Sequence, residues 1–264
     1  MKFKFPQRRR RVVLIAAAGV LAMLTIVGAS MAASGETPVT VKVGELELTA
    51  NGGFTPTAIS ATKQTPIELK ASGGVAEANG SHPPAAREII IEGDKNAEVH
   101  VKGIPTCSSG KLQATTTEAA LAACKSALIG EGQTTAQVAF AEQKPLTVPS
   151  KLLLFNGGEK GGKITWFAHA YFSQPISGAI VTTVTISKIH KGPFGTLAVA
   201  KVPQITGGSG SIVSFNLKIK KSVGGINPIS AKCVGGKLKV HVEAKFEDGT
   251  KAETEVVRAC TAKG

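Results

Sequence analysis

The chain has 264 residues, a formal net charge of +13 and only 5% aromatic residues. Six of its 31 basic residues fall within the first 11 positions, and of the basic residues beyond them only Arg87 and Arg258 are arginines. That speaks against specific nucleic-acid recognition, which favours the planar guanidinium fork. It leaves a solvated lysine surface with at most weak attraction to cell-wall or other anionic polymers.

Residues 1–32 read as an export leader. Lys2, Lys4 and Arg8 to Arg11 form its basic start, residues 12–27 its apolar core, and Ser30 and Ala32 the small residues of a peptidase site. The alternatives are an uncleaved anchor, the apolar stretch being close to the ~17–25 residues of a membrane span, and a twin-arginine route through Arg10-Arg11. Cleavage before Ala33 leaves residues 33–264 as one secreted or cell-envelope domain with no stable membrane insertion.

Strand-like runs then recur almost to the end. Residues 39–43 and 45–49 open the series, followed by 57–62 and 66–71 and a loop-like stretch at 73–86. Residues 88–92 and 97–102 read as the arms of a hairpin about Gly93-Asp94-Lys95-Asn96, with Val99 and Val101 inward. One helix interrupts. Thr115 with Glu118 forms a capping box, Leu121, Cys124 and Leu128 share a face, and Gly130 is placed to end it.

The centre of the chain is residues 151–190. Three apolar runs, 152–155, 164–172 and 179–189, are parted by GGEKGG and SQPISG, whose glycine and proline are turn residues. The middle run holds the only Trp (Trp166) and the only Tyr (Tyr171) and is apolar on both faces, as a central buried strand is. Residues 195–202 and 211–220 follow as strands. In the last hairpin Leu238, Val240, Val242, Ala244 and Phe246 alternate with polar residues, and matching parities calls for a three-residue Glu247-Asp248-Gly249 turn that sets Lys245 opposite Lys251.

Four cysteines, Cys107, Cys124, Cys233 and Cys260, in an exported chain point to two disulfides. Of the three connectivities, Cys107–Cys124 with Cys233–Cys260 needs the least reach. No C-x-x-C pair offers a metal site.

Several stretches carry a resemblance: GSHPPA, EIIIEGDKN, KGIPTC, KLQATTTEAALAACKSALIGEG, LLLFNGGEKGGK, VTTVTISKIHKGPFGT, SAKCVGGKL, FEDGT and the terminal RACTAKG. Together they resemble a group of exported, functionally uncharacterised β-rich proteins of soil actinobacteria. The resemblance implies export, one architecture and paired cysteines, and carries over no activity and no site residue.

Chemistry-bearing motifs are sparse. Gly157 to Lys163 fits G-x-x-x-x-G-K but is followed by Ile164 and a strand, so it reads as a hairpin turn rather than a phosphate loop. Asp94 and Asp248 are the only aspartates, the five histidines lack metal spacing, and Ser209 lacks an elbow context. Glu88 and Glu92 form a close carboxylate pair that reads more simply as an exposed face. Phe167, His169 and Tyr171 are the candidate binding face, for stacking on a sugar, against a competing reading as the second buried side of a core strand. The expectation is an all-β fold, an antiparallel β-sandwich of jelly-roll-like style with one short α-helix, and no cofactor. Its expected role is that of a non-enzymatic structural or binding module, the alternative being a secreted hydrolase of cell-wall or environmental polysaccharide.

Overall fold

The computed structural model describes residues 37–175 and 177–264; the expected leader, residues 1–32, lies outside them. In chain order the strands begin with β1 (Val39–Val43), β2 (Leu46–Thr55), β3 (Ala58–Ser60), β4 (Thr65–Pro66), β5 (Glu68–Glu77), β6 (Ala86–Asp94) and β7 (Ala97–Val99). Helix α1 (Thr117–Cys124) precedes β8 (Leu128–Val138), β9 (Leu146–Lys160), β10 (Lys163–Phe172), β11 (Gly178–Lys191) and β12 (Phe194–Lys201). The chain ends with β13 (Gly210–Ile219), β14 (Ile229–Ala231), β15 (Lys237–Phe246), β16 (Lys251–Ala259) and β17 (Thr261–Lys263).

Twelve strands form one antiparallel sheet in the order β1-β2-β5-β13-β8-β9-β10-β11-β12-β6-β15-β16. Its two edges, β1 and β16, lie side by side without a shared ladder, so the sheet wraps into a near-closed barrel. The fold is antiparallel all-β with one short helix. The two layers expected of a sandwich are opposite walls of a single continuous sheet, because strand twist accumulated over twelve strands curls the sheet back on itself. Two small sheets, β4-β14-β7 and the parallel pair β17-β3, complete the structure.

Local turn chemistry sets the hairpins. Gly161 and Gly162 turn β9 into β10 at positive φ (59° and 74°), which glycine adopts without Cβ strain. The β15–β16 turn is the three-residue Glu247-Asp248-Gly249 loop, and Lys245 faces Lys251 as the parities require. Both disulfides are formed, Cys107–Cys124 and Cys233–Cys260.

Three expectations are corrected. Residues 88–92 and 97–102 do not pair with each other: β6 lies between β12 and β15, whereas β7 joins β14. Asp94 breaks the hairpin, its carboxylate accepting from the backbone N–H of Asn96 and of Lys239 and so anchoring the chain to β15 as it leaves the sheet. The helix N-cap is Thr116, whose hydroxyl accepts from the Ala119 N–H, while Thr115 donates to Leu112 O. Gly130 lies inside β8 and is not a helix stop. A Cβ there would come within 2.8 Å of Lys218 O on β13, so the position requires glycine for strand approach.

Candidate functional site

Leu153, Phe155 and Phe167 point to the outside of the barrel and are covered by the helix segment: Leu112, Ala120, Leu121, Cys124 and Ala127 pack on them. The Cys107–Cys124 bridge belongs to this cluster. The central strands are therefore buried on both faces, as their double apolar pattern anticipates. His169 shares the covered face and has no exposed surface. Its Nε2 lies 3.1 Å from Thr115 O, which fixes the proton on Nε2, and burial holds the imidazole pKa below its ordinary value. Of the three candidate face residues, Phe167 packs into the helix cluster, His169 is enclosed and Tyr171 is half-buried near the strand end.

Outside, the acidic pair is neutralised residue by residue. Glu88 accepts from Lys245 Nζ at 2.8 Å, which holds that ammonium above the ordinary lysine range. Glu92, largely buried, accepts from Lys191 Nζ at 2.8 and 3.1 Å and lies 3.3 Å from His241 Nδ1. These contacts tie β6 to β11 and β15, and each carboxylate has a cation of its own. Ser209 sits in an exposed turn, its hydroxyl donating to Thr206 O.

A polar cluster occupies the lower end, where Ser230 Oγ is 2.9 Å from His100 Nε2 inside a shallow cavity of about 330 Å³ lined by Gln64, Pro66 and Asn227 among others. Glu98 reaches the same nitrogen of His100, at 3.6 Å. A nucleophilic relay needs serine and acid on opposite ring nitrogens, so this set lacks that geometry. Among the described residues no three His, Cys, Asp or Glu side chains group as metal ligands.

The barrel interior is where surface remains to be used. Its lower half is filled by one continuous cluster: Phe54, Leu154, Trp166, Ile186 and Ile219 from the walls meet Ile59, Ile229 and Ala231 from the small sheets and Ile67 from the link between β4 and β5. The upper half is different. Leu46, Leu48, Ala244, Phe246 and Ala252 pack on one wall, Val148, Leu152, Ala170 and Phe172 on the other, as two separate clusters. Between them the inward side chains Ile89, Ala200, Ile91 and Val242 are only half-buried although they face the inside. Eight strands enclose roughly the space that their own side chains fill, and twelve enclose considerably more. The small sheets occupy that excess below and contribute no residue to the two upper clusters.

The upper rim gathers the β1–β2, β8–β9, β10–β11 and β15–β16 turns. Two longer connections cross it, since each joins strands on opposite walls. Residues 78–85 are held by Ser211 Oγ donating to Pro83 O at 2.7 Å and by the Ala85 N–H donating to Glu247 Oε1 at 3.2 Å. Residues 202–209 carry the buried Ile205 and accept from the Ala139 N–H through Ser209 O. Among the described residues, the inward positions of this half carry one charged side chain, Glu77, at the rim. Such a wall can bury apolar surface. The half-buried inward positions are invisible in sequence, because a filled and an unfilled wall show the same alternation. No family model, curated protein or solved structure matches the chain.

Proposed function

We propose that this protein is an exported, non-enzymatic binding barrel that holds a small ligand against the inward wall of its upper half. The observation that carries this reading is the half-buried inward row Ile89, Ile91, Ala200 and Val242 beside two apolar clusters that do not meet. Concave, mostly apolar surface is the usual form of a small-molecule site. Export is supported by the basic and apolar character of the first 32 residues and by two disulfides, which persist in oxidising compartments.

Single cysteines placed in the oxidised protein test the reading. Val242→Cys, on the inward wall, is expected to react with a small thiol reagent at a rate approaching that of Glu243→Cys on the outer wall. Leu154→Cys, in the filled lower half, should stay unreactive in the native state. If Val242→Cys is as inert as Leu154→Cys, the upper half is closed packing and the binding reading fails.

A further inference from the structure

Resting on that binding reading, we propose that the ligand is a lipid with a flexible aliphatic chain, held tail-first with its polar head at the strapped upper rim.

Three features of the wall select this chemistry. The half-buried row Ile89, Ile91, Ala200 and Val242 is aliphatic, while the inward aromatics of this half sit in or against the side clusters, Phe246 in one and Phe172 with the half-buried Phe215 in the other. Along that row a flat ring system would find no aromatic platform to stack on, whereas an aliphatic chain needs none. Two of the inward hydroxyls are also already engaged: Thr134 Oγ donates to Ser214 O at 2.9 Å, and Ser150 Oγ donates to Tyr171 O at 2.7 Å. Enclosing a charged or strongly polar head beside them would leave it desolvated without partners, at a large cost.

The third feature is polarity along the barrel axis. The lower end is sealed by the Ile59, Ile67, Ile229 and Ala231 plug, so a ligand has one way in. Charged and hydrogen-bonding groups gather at the other end, where Glu77, His82, Arg87 and Glu247 ring the crossing connections. Three of the five large apolar side chains exposed among the described residues, Val43 (39%), Phe140 (43%) and Leu146 (36%), lie at this rim as well. A rim that is both polar and apolar above a mostly apolar interior matches an amphiphile with its chain inside.

Calorimetric titration of the oxidised protein with straight-chain primary alcohols, from octanol to hexadecanol, tests the assignment, with pyrene and cholesterol as planar comparators. One chain per barrel is expected, with affinity rising up to about four-fold per added methylene and then levelling once the chain fills the space. Ala200→Phe and Val242→Phe, on adjoining parts of the wall, are each expected to weaken the longest alcohols most. The chain-length series on the unaltered protein carries the test even if a filled variant does not fold. Affinity independent of chain length, or pyrene or cholesterol binding more tightly than every alcohol, overturns the proposal. Absence of alcohol binding while Val242→Cys is reactive overturns the lipid assignment and leaves the binding barrel standing. An inert Val242→Cys removes both.

Discussion

His169 shows how one side chain couples the helix to the sheet. Its ring is fully enclosed beneath the Thr115 segment, and burial holds its pKa below the ordinary 6.5. The unfolded chain therefore takes up a proton that the native state refuses as pH falls below that value. Protonation favours the unfolded state, so stability is lost progressively between about pH 7 and the lowered native pKa. Replacing His169 by Gln keeps a donor for Thr115 O and removes the titration. Urea unfolding should show His169→Gln less stable than the parent at about pH 7.5, with the gap narrowing or reversing at about pH 5. Parallel pH profiles for the two proteins would assign the acid sensitivity elsewhere. The sequence placed this histidine on a strand face between Phe167 and Tyr171; which of two occupants covered that face depended on a helix some fifty residues earlier, and no local pattern encodes that packing.

At the scale of elements, short-range chemistry was legible and long-range partners were not. The β9–β10 and β15–β16 turns could be read because glycine at positive φ and strand parity are properties of a few neighbouring residues. The N-cap reading missed by one position in a run of three threonines, and the tie is broken by Thr115 turning its hydroxyl to Leu112 O. Strand β8 escaped notice because its inward positions include Gly130 and Gly132, which give no apolar alternation. A Cβ at Gly132 would lie 2.0 Å from Asn216 O, so closeness to β13 dictates the residue and only the partner strand reveals it. The Cys107–Cys124 bridge, of sequence separation 17, staples the helix over Leu153 and Phe155. Replacing both cysteines by alanine should cost about 3 kcal/mol by relieving the constraint on the unfolded chain. The β-type circular dichroism should persist, with more binding of a surface-hydrophobic dye where Leu153 and Phe155 become uncovered. Unchanged stability would mean that the helix is held by packing alone.

For the whole molecule, the alternation of each strand fits a barrel wall and a sandwich layer equally, and order within the sheet depends on partners such as β5 with β13 that are far apart in sequence. The closing seam is likewise a long-range feature. Strands β1 and β16 meet without a ladder, and Arg258 on β16 bridges the gap: its guanidinium donates to Gly52 O and Asn51 Oδ1 on β2 and to Thr37 O ahead of β1. A planar fork with five donors can span three acceptors on two segments, whereas an ammonium is a compact point charge that holds fewer of them in fixed geometry. Arg258→Lys keeps the charge and should still loosen the seam. Hydrogen exchange is expected to accelerate in β1, the middle of β2 and β16, while the central β9 and β10 amides keep their protection. Uniform acceleration across the barrel would make Arg258 a contributor to global stability only. No change in any strand would show that β1 and β16 are held together by apolar packing and that the guanidinium bridge is dispensable.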